Sequence, residues 1–186
     1  MTNKHLLFIL AFSFILTTIS CEKDDPEIPN EEELITTLTY TLTPSSGGDG
    51  VIMTFTDLDG DGGDAPVISG GTLAANTTYT GSLDLLNALE TPAESITEEI
   101  EEEDEEHQFF FESTVADVNI SYNDVDADGN PVGLSSTLTT GDAADGNITI
   151  TLRHEPNKTA TGVSTGDITN AGGETDIEVT FPVDVQ

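Results

Sequence analysis

Two short stretches place carboxylates at alternate positions and then turn on glycine: Asp57, Asp59 and Asp61 with Asp64 close behind, and Asp124, Asp126 and Asp128 ahead of Gly129 and Asn130. Hard oxygen donors converging from a tight turn are what Ca²⁺ takes. An EF-hand would need a bidentate acid at its twelfth position, where Ile68 and Ser135 stand instead. What remains is a looser interstrand calcium loop in each place. Asp57, Asp59, Asp61 and Asp64 would serve the first, and Asp124, Asp126, Asp128 and the Asn130 amide the second. The competing reading is that Asp-Gly pairs simply make turns.

A second constellation uses His107 and His154. Glu103 precedes His107 by four residues, so on a helix the two share a face. Arg153-His154-Glu155-Pro156 ends an expected strand. If the fold unites the two regions, Glu103, His107, His154 and Glu155 suit Zn²⁺ or Cu²⁺. If it does not, each histidine is a solvated or backbone-bonded strand end. Catalytic patterns are missing: there is no Gly-x-Ser-x-Gly elbow, no His-Glu-x-x-His and no phosphate-cradling glycine loop. The expectation is therefore a non-enzymatic binding module, with a hydrolase as a distant alternative.

Charge narrows the partners. The chain has a formal net charge of −32, and beyond position 20 its basic residues are Lys23, Arg153 and Lys158 alone. Such a polyanion repels phosphate backbones and anionic headgroups, which excludes nucleic acid and favours cations.

The elements that must position these groups read as strands. Alternation of period two with Thr, Val, Ile and Tyr runs through Leu34 to Leu42, Val51 to Thr56, Thr77 to Leu85, Val115 to Tyr122, Asn147 to Leu152 and Thr175 to Val185. Gly-, Asp- and Asn-rich breaks separate them, which predicts an all-β, immunoglobulin-like antiparallel β-sandwich over residues 34–186. One segment departs from this pattern. Thr91-Pro92-Ala93-Glu94 and Ser95-Ile96-Thr97-Glu98 are both capping-box sequences, so a helix should begin between 91 and 96. Eight acidic residues among the nine from Glu98 to Glu106 then repel one another at i,i+4 spacing. That run should fray unless a cation or a basic partner binds.

The amino-terminal part carries an address. A basic start (Lys4, His5), an apolar stretch from Leu6 to Ile19 and Ser20 lead to Cys21, the single cysteine. Thr18-Ile19-Ser20-Cys21 resembles the lipobox of bacterial lipoproteins. This resemblance implies a signal peptide over 1–20 and acyl chains, palmitate among them, on Cys21. Residues 21–33, rich in Asp, Glu and Pro, read as a flexible tether. Lys23-Asp24-Asp25 resembles the acidic export signal of surface lipoproteins of the Bacteroidota. It implies lipid anchoring at the outer membrane, on the cell surface in preference to the periplasmic leaflet.

The stretches Gly71-Thr72-Leu73-Ala74-Ala75-Asn76-Thr77-Thr78-Tyr79-Thr80-Gly81-Ser82-Leu83, Asp126-Ala127-Asp128-Gly129-Asn130-Pro131 and Arg153-His154-Glu155-Pro156-Asn157-Lys158 resemble small lipoproteins of flavobacteria. Some of these carry the label of a type 1 periplasmic binding fold. That label implies alternating strands and helices, whereas the present pattern is strand almost throughout. The resemblance implies a location and leaves the ligand open: a divalent cation, or a partner such as an outer-membrane uptake receptor. Capture of a transition metal through the histidines is the alternative.

Overall fold

The computed structural model describes residues 34–60 and 63–186. Cys21, the tether and Asp61 lie outside the described residues. The strands are β1 (Thr37–Pro44), β2 (Val51–Thr56), β3 (Val67–Ser69), β4 (Gly71–Leu73), β5 (Thr78–Asn87), β6 (Glu94–Ser95), β7 (His107–Ser113), β8 (Asn119–Tyr122), β9 (Ser135–Thr139), β10 (Ala144–His154) and β11 (Glu174–Val185), with a helix α1 (Ile96–Glu102) between β6 and β7. One sheet runs β3-β2-β1-β5-β9-β8, with β6 also paired to β5, and the other runs β4-β11-β10-β7. All pairings are antiparallel except β4 with β11. This is the all-β sandwich expected from the sequence.

Period-two alternation builds its core. Leu38, Tyr40 and Leu42 of β1 and Tyr79, Leu83 and Leu85 of β5 point inward from one sheet. Ile148, Ile150 and Leu152 of β10 and Val179, Phe181, Val183 and Val185 of β11 meet them from the other. Thr, Ser and Asp fill many of the intervening outward positions of β5, as a half-buried strand requires. Strand β7 differs, because Gln108 and Phe110 are buried as well as His107 and Phe109. The reason lies outside the sandwich: Val163 and Ala171, from the connection between β10 and β11, cover Phe110 in a second small core. A strand covered on both faces accounts for the unbroken Phe109-Phe110-Phe111 run.

Gly81 leaves room on the inner face of its sheet for the Tyr40 ring of β1 and the Ser136 hydroxyl of β9. A Cβ there would lie 2.6 Å from the Tyr40 hydroxyl oxygen and 2.5 Å from the Ser136 Oγ, two atoms that hydrogen-bond each other at 2.8 Å. Gly81→Ala should therefore cost about 1–3 kcal/mol by overpacking, read as a shift in the urea midpoint at unchanged slope. Burial also pushes the Tyr40 phenol up to about 12, against a smaller lowering by Ser136.

Of the two capping boxes, the second starts the helix. Ser95 is the N-cap, and its Oγ accepts from the Glu98 N–H. Glu94 and Ser95 pair instead with β5, so the first box starts no helix. Ile96 and Ile100, one turn apart, are buried against the sandwich and offset the repulsion among the glutamates. The acidic run is ordered as helix to Glu102 and as turn beyond it.

Candidate functional site

His107 opens β7 and His154 closes β10, and the antiparallel register sets them directly opposite each other. They continue the inward row formed by Phe109 with Leu152 and Phe111 with Ile150. Their rings stack at 4.6 Å between centroids and 27° between planes. Both are buried, His107 completely and His154 with 4% of its surface exposed. The long-range meeting that a shared metal site requires is thus present in the fold.

A third group joins them through a β-bulge. Leu152 pairs with Ile177 and Arg153 with Thr175, which leaves Asp176 as the extra residue of β11. In a regular strand with Ile177, Val179 and Phe181 facing the core, Asp176 would face water. Bulges re-aim side chains, and here the Asp176 carboxylate is fully buried with Oδ1 3.9 Å from His154 Nδ1. His107, His154 and Asp176 each present one ligand atom, all within 4.8 Å of one another. Gly173 lets the chain reach this position, because a Cβ there would lie 2.1 Å from the His154 carbonyl oxygen, and its φ is +69°. The Arg153 guanidinium holds the same corner by donating to the carbonyls of Gly172 and Gly173.

The expected glutamates take other roles. Glu103 caps the C-terminus of α1 with its carboxylate at the surface, and its main-chain carbonyl accepts from His107 Nδ1 at 3.1 Å. That contact puts the proton of a neutral His107 on Nδ1 and the lone pair on Nε2, the tautomer that a metal-binding imidazole needs. Glu155 has φ +48° and donates its N–H to the Glu106 carbonyl. Its carboxylate joins those of Glu106 and the ring of His154 in a second group, also within 4.8 Å and more exposed. Glu106 Oε2 lies 3.7 Å from His154 Nε2.

The acidic loops are organised from within. In the first, Asp57 Oδ1 accepts from the N–H groups of Asp59 and Gly60, and Asp59 Oδ2 accepts from that of Asp64, while Asp64 itself is exposed. In the second, Asp124 accepts from the N–H groups of Gly133 and Ser135, and Asp126 Oδ1 from those of Asp128 and Asn130. The Asp128 side chain is exposed, and the Asn130 amide donates to Asp126. Lys158 completes this loop: its Nζ lies 2.9 Å from Asp126 Oδ2 and also donates to the Asp104 carbonyl. An ammonium group sits where a cation would balance Asp126. Burial raises the Asp126 carboxyl, but Lys158 and Asn130 together outweigh burial and hold it below the ordinary carboxylate value.

An open cleft of about 410 Å³ next to α1 is rimmed by Glu101, Asp104 and Asp124. It brings carboxylates together without an imidazole. Sequence reasoning missed Asp176 and Glu106 as members of the histidine cluster, and Lys158 as the internal cation. The Gly172-Gly173 pair ahead of β11 was the one local sign of an irregular strand start. Among the described residues, no helix is long and apolar enough to cross a membrane. No family model, curated protein or solved structure matches the chain, so the chemistry of its own residues is what speaks for the site.

Proposed function

We propose that this chain is a non-enzymatic, lipid-anchored binding module of the cell envelope that captures a late transition metal ion, Zn²⁺ or Cu²⁺, through His107, His154 and Asp176. The observation that carries this reading is the buried carboxylate placed beside two stacked, buried imidazoles. Two nitrogens with one oxygen form a donor set for Zn²⁺ or Cu²⁺ rather than Ca²⁺, and a bound divalent ion would add its charge to the contact that Asp176 already makes with His154. Bonds of about 2 Å bring tetrahedral donors to within roughly 3.3 Å of one another. Coordination would require the three groups to close by about 1 Å or a little more and the stacked rings to turn until their in-plane lone pairs converge.

The acidic loops support the same choice by contrast. Their best placed carboxylates are engaged by backbone N–H groups and by Lys158. The anchor rests on Cys21 and the lipobox-like junction, and it would hold the captured ion near an uptake receptor.

Isothermal titration of the full chain tests the reading. One Zn²⁺ or Cu²⁺ per chain with sub-micromolar affinity, and no heat with Ca²⁺, is the expected result. Absence of heat with Zn²⁺ and Cu²⁺ would overturn it and leave the cluster as a buried histidine-aspartate ion pair.

A further inference from the structure

His154 belongs to two ligand groups at once. Its Nδ1 faces Asp176 at 3.9 Å, and its Nε2 faces Glu106 at 3.7 Å. The inner group, with His107 and Asp176, is buried; the outer group, with Glu106 and Glu155, has both carboxylates at the surface. The outer group is more than an acidic patch, because it includes a nitrogen of an imidazole that is 96% buried, presented along the edge of the ring.

We propose that an ion is acquired at the outer group and handed to the inner one across the His154 ring. This rests on the metal-capture reading above and adds the route by which the ion arrives. A neutral imidazole offers one lone pair, so His154 serves one position at a time. With the ion on Nε2, the ring proton sits on Nδ1, where the Asp176 carboxylate accepts it. Transfer inward moves the ion to Nδ1 and the proton, through water, to Nε2, where Glu106 accepts it. One proton leaves the ring and one returns, so the charge of the ring is the same before and after.

The architecture suits such a relay. Glu106 and Glu155 are tied together by the Glu155 N–H to Glu106 carbonyl bond, so the outer carboxylates come from two chain segments fixed to each other. Exposed carboxylates lose the water around an ion gradually and draw cations in over several ångströms. Buried imidazoles retain the ion but offer little surface for encounter. Separating the tasks joins fast collection to slow release.

The test compares equilibrium with rate. In the full chain, E106Q/E155Q should slow Zn²⁺ loading by about tenfold, followed by stopped-flow with a chromophoric chelator, while the equilibrium affinity falls by less than about tenfold, because an amide oxygen at position 106 still accepts the Nε2 proton. D145N/D184N removes two charges from a cross-strand pair at the other end of β10 and β11 and serves as the control for net charge. It should load at nearly the wild-type rate. Equal rates for E106Q/E155Q and the control would overturn the relay, as would two ions bound together in wild type, which would make His154 a bridge. If wild type binds no Zn²⁺ at all, the failure belongs to the proposed function and is visible in the titration.

Discussion

Replacing Lys158 by methionine should lower the free energy of unfolding by about 3–5 kcal/mol, measured by urea denaturation at pH 7. Lys158 and Asp126 are both nearly inaccessible, with 5% and 1% of their side chains exposed. Removing one member of a buried pair leaves the other charge uncompensated, and that residue dominates the cost. Methionine keeps most of the volume of lysine, so cavity formation adds little. The Asp126 carboxylate retains the N–H groups of Asp128 and Asn130, which places the expected loss toward the lower end of the range. D126N/K158M should recover much of it, because the asparagine oxygen keeps both backbone bonds and no charge remains buried. A single variant within about 0.5 kcal/mol of wild type would show that the pair behaves as a surface contact.

The pH dependence follows from the lowered Asp126 carboxyl. A depressed folded value contributes stability above the unfolded value of 3.8, and that stability is lost as pH falls through the lower folded value. Wild type should therefore lose stability below about pH 4. In K158M the principal ionic partner is gone, so this part of the acid slope should flatten.

His154→Ala should weaken Zn²⁺ binding by more than about 100-fold, since loss of an orienting partner alone costs about 10- to 100-fold. The ring is shared by both ligand groups, so no second histidine replaces it. At a free Zn²⁺ concentration of about 100 times the dissociation constant, wild type should gain about 2.7 kcal/mol of stability from the ion. The variant should gain less than about 0.4 kcal/mol, and thermal melts with and without Zn²⁺ give this difference directly. Because His154 also packs on His107, His107→Asn provides a second measurement: it fills part of the ring's space and removes the inner-group nitrogen. Loss of the Zn²⁺-dependent stabilisation in both variants supports coordination. Retention of it in either one places the ion elsewhere.

Local signals carried far in this chain. Val51 to Thr56 reads as a strand and is β2 residue for residue, and Ser95 with Glu98 caps the helix as its spacing implies. Val115 to Tyr122 is shorter in the structure, confined to Asn119–Tyr122, because Asp117 takes a left-handed φ of +55° that no extended strand accommodates. The short strands β3 and β4 left no periodic trace, being three residues each.

At the site the division is the same. His107 and His154 were legible as ligand types, and only register decides that they face each other. Asp176 was illegible, since period two assigns it to the solvent face. A bulge arises from the count of residues on two paired strands, not from either strand alone. Glu103 was legible in spacing yet contributes its carbonyl rather than its carboxylate, because the helix ends at that residue. Lys158 looked like an isolated charge in a loop, and its partner lies 32 residues away.

Arg153 and Lys158 are the only arginine and lysine among the described residues, and both are engaged in fastening the connection between β10 and β11 to its neighbours. The folded part of the chain therefore offers little positive charge with which one copy could grip the carboxylates of another, Lys158 being buried and Arg153 already donating to three oxygens. Neighbouring copies, each with a formal net charge of −32, meet as like charges and repel one another. Cations in the medium screen that repulsion, so the spacing between copies should answer to ionic strength.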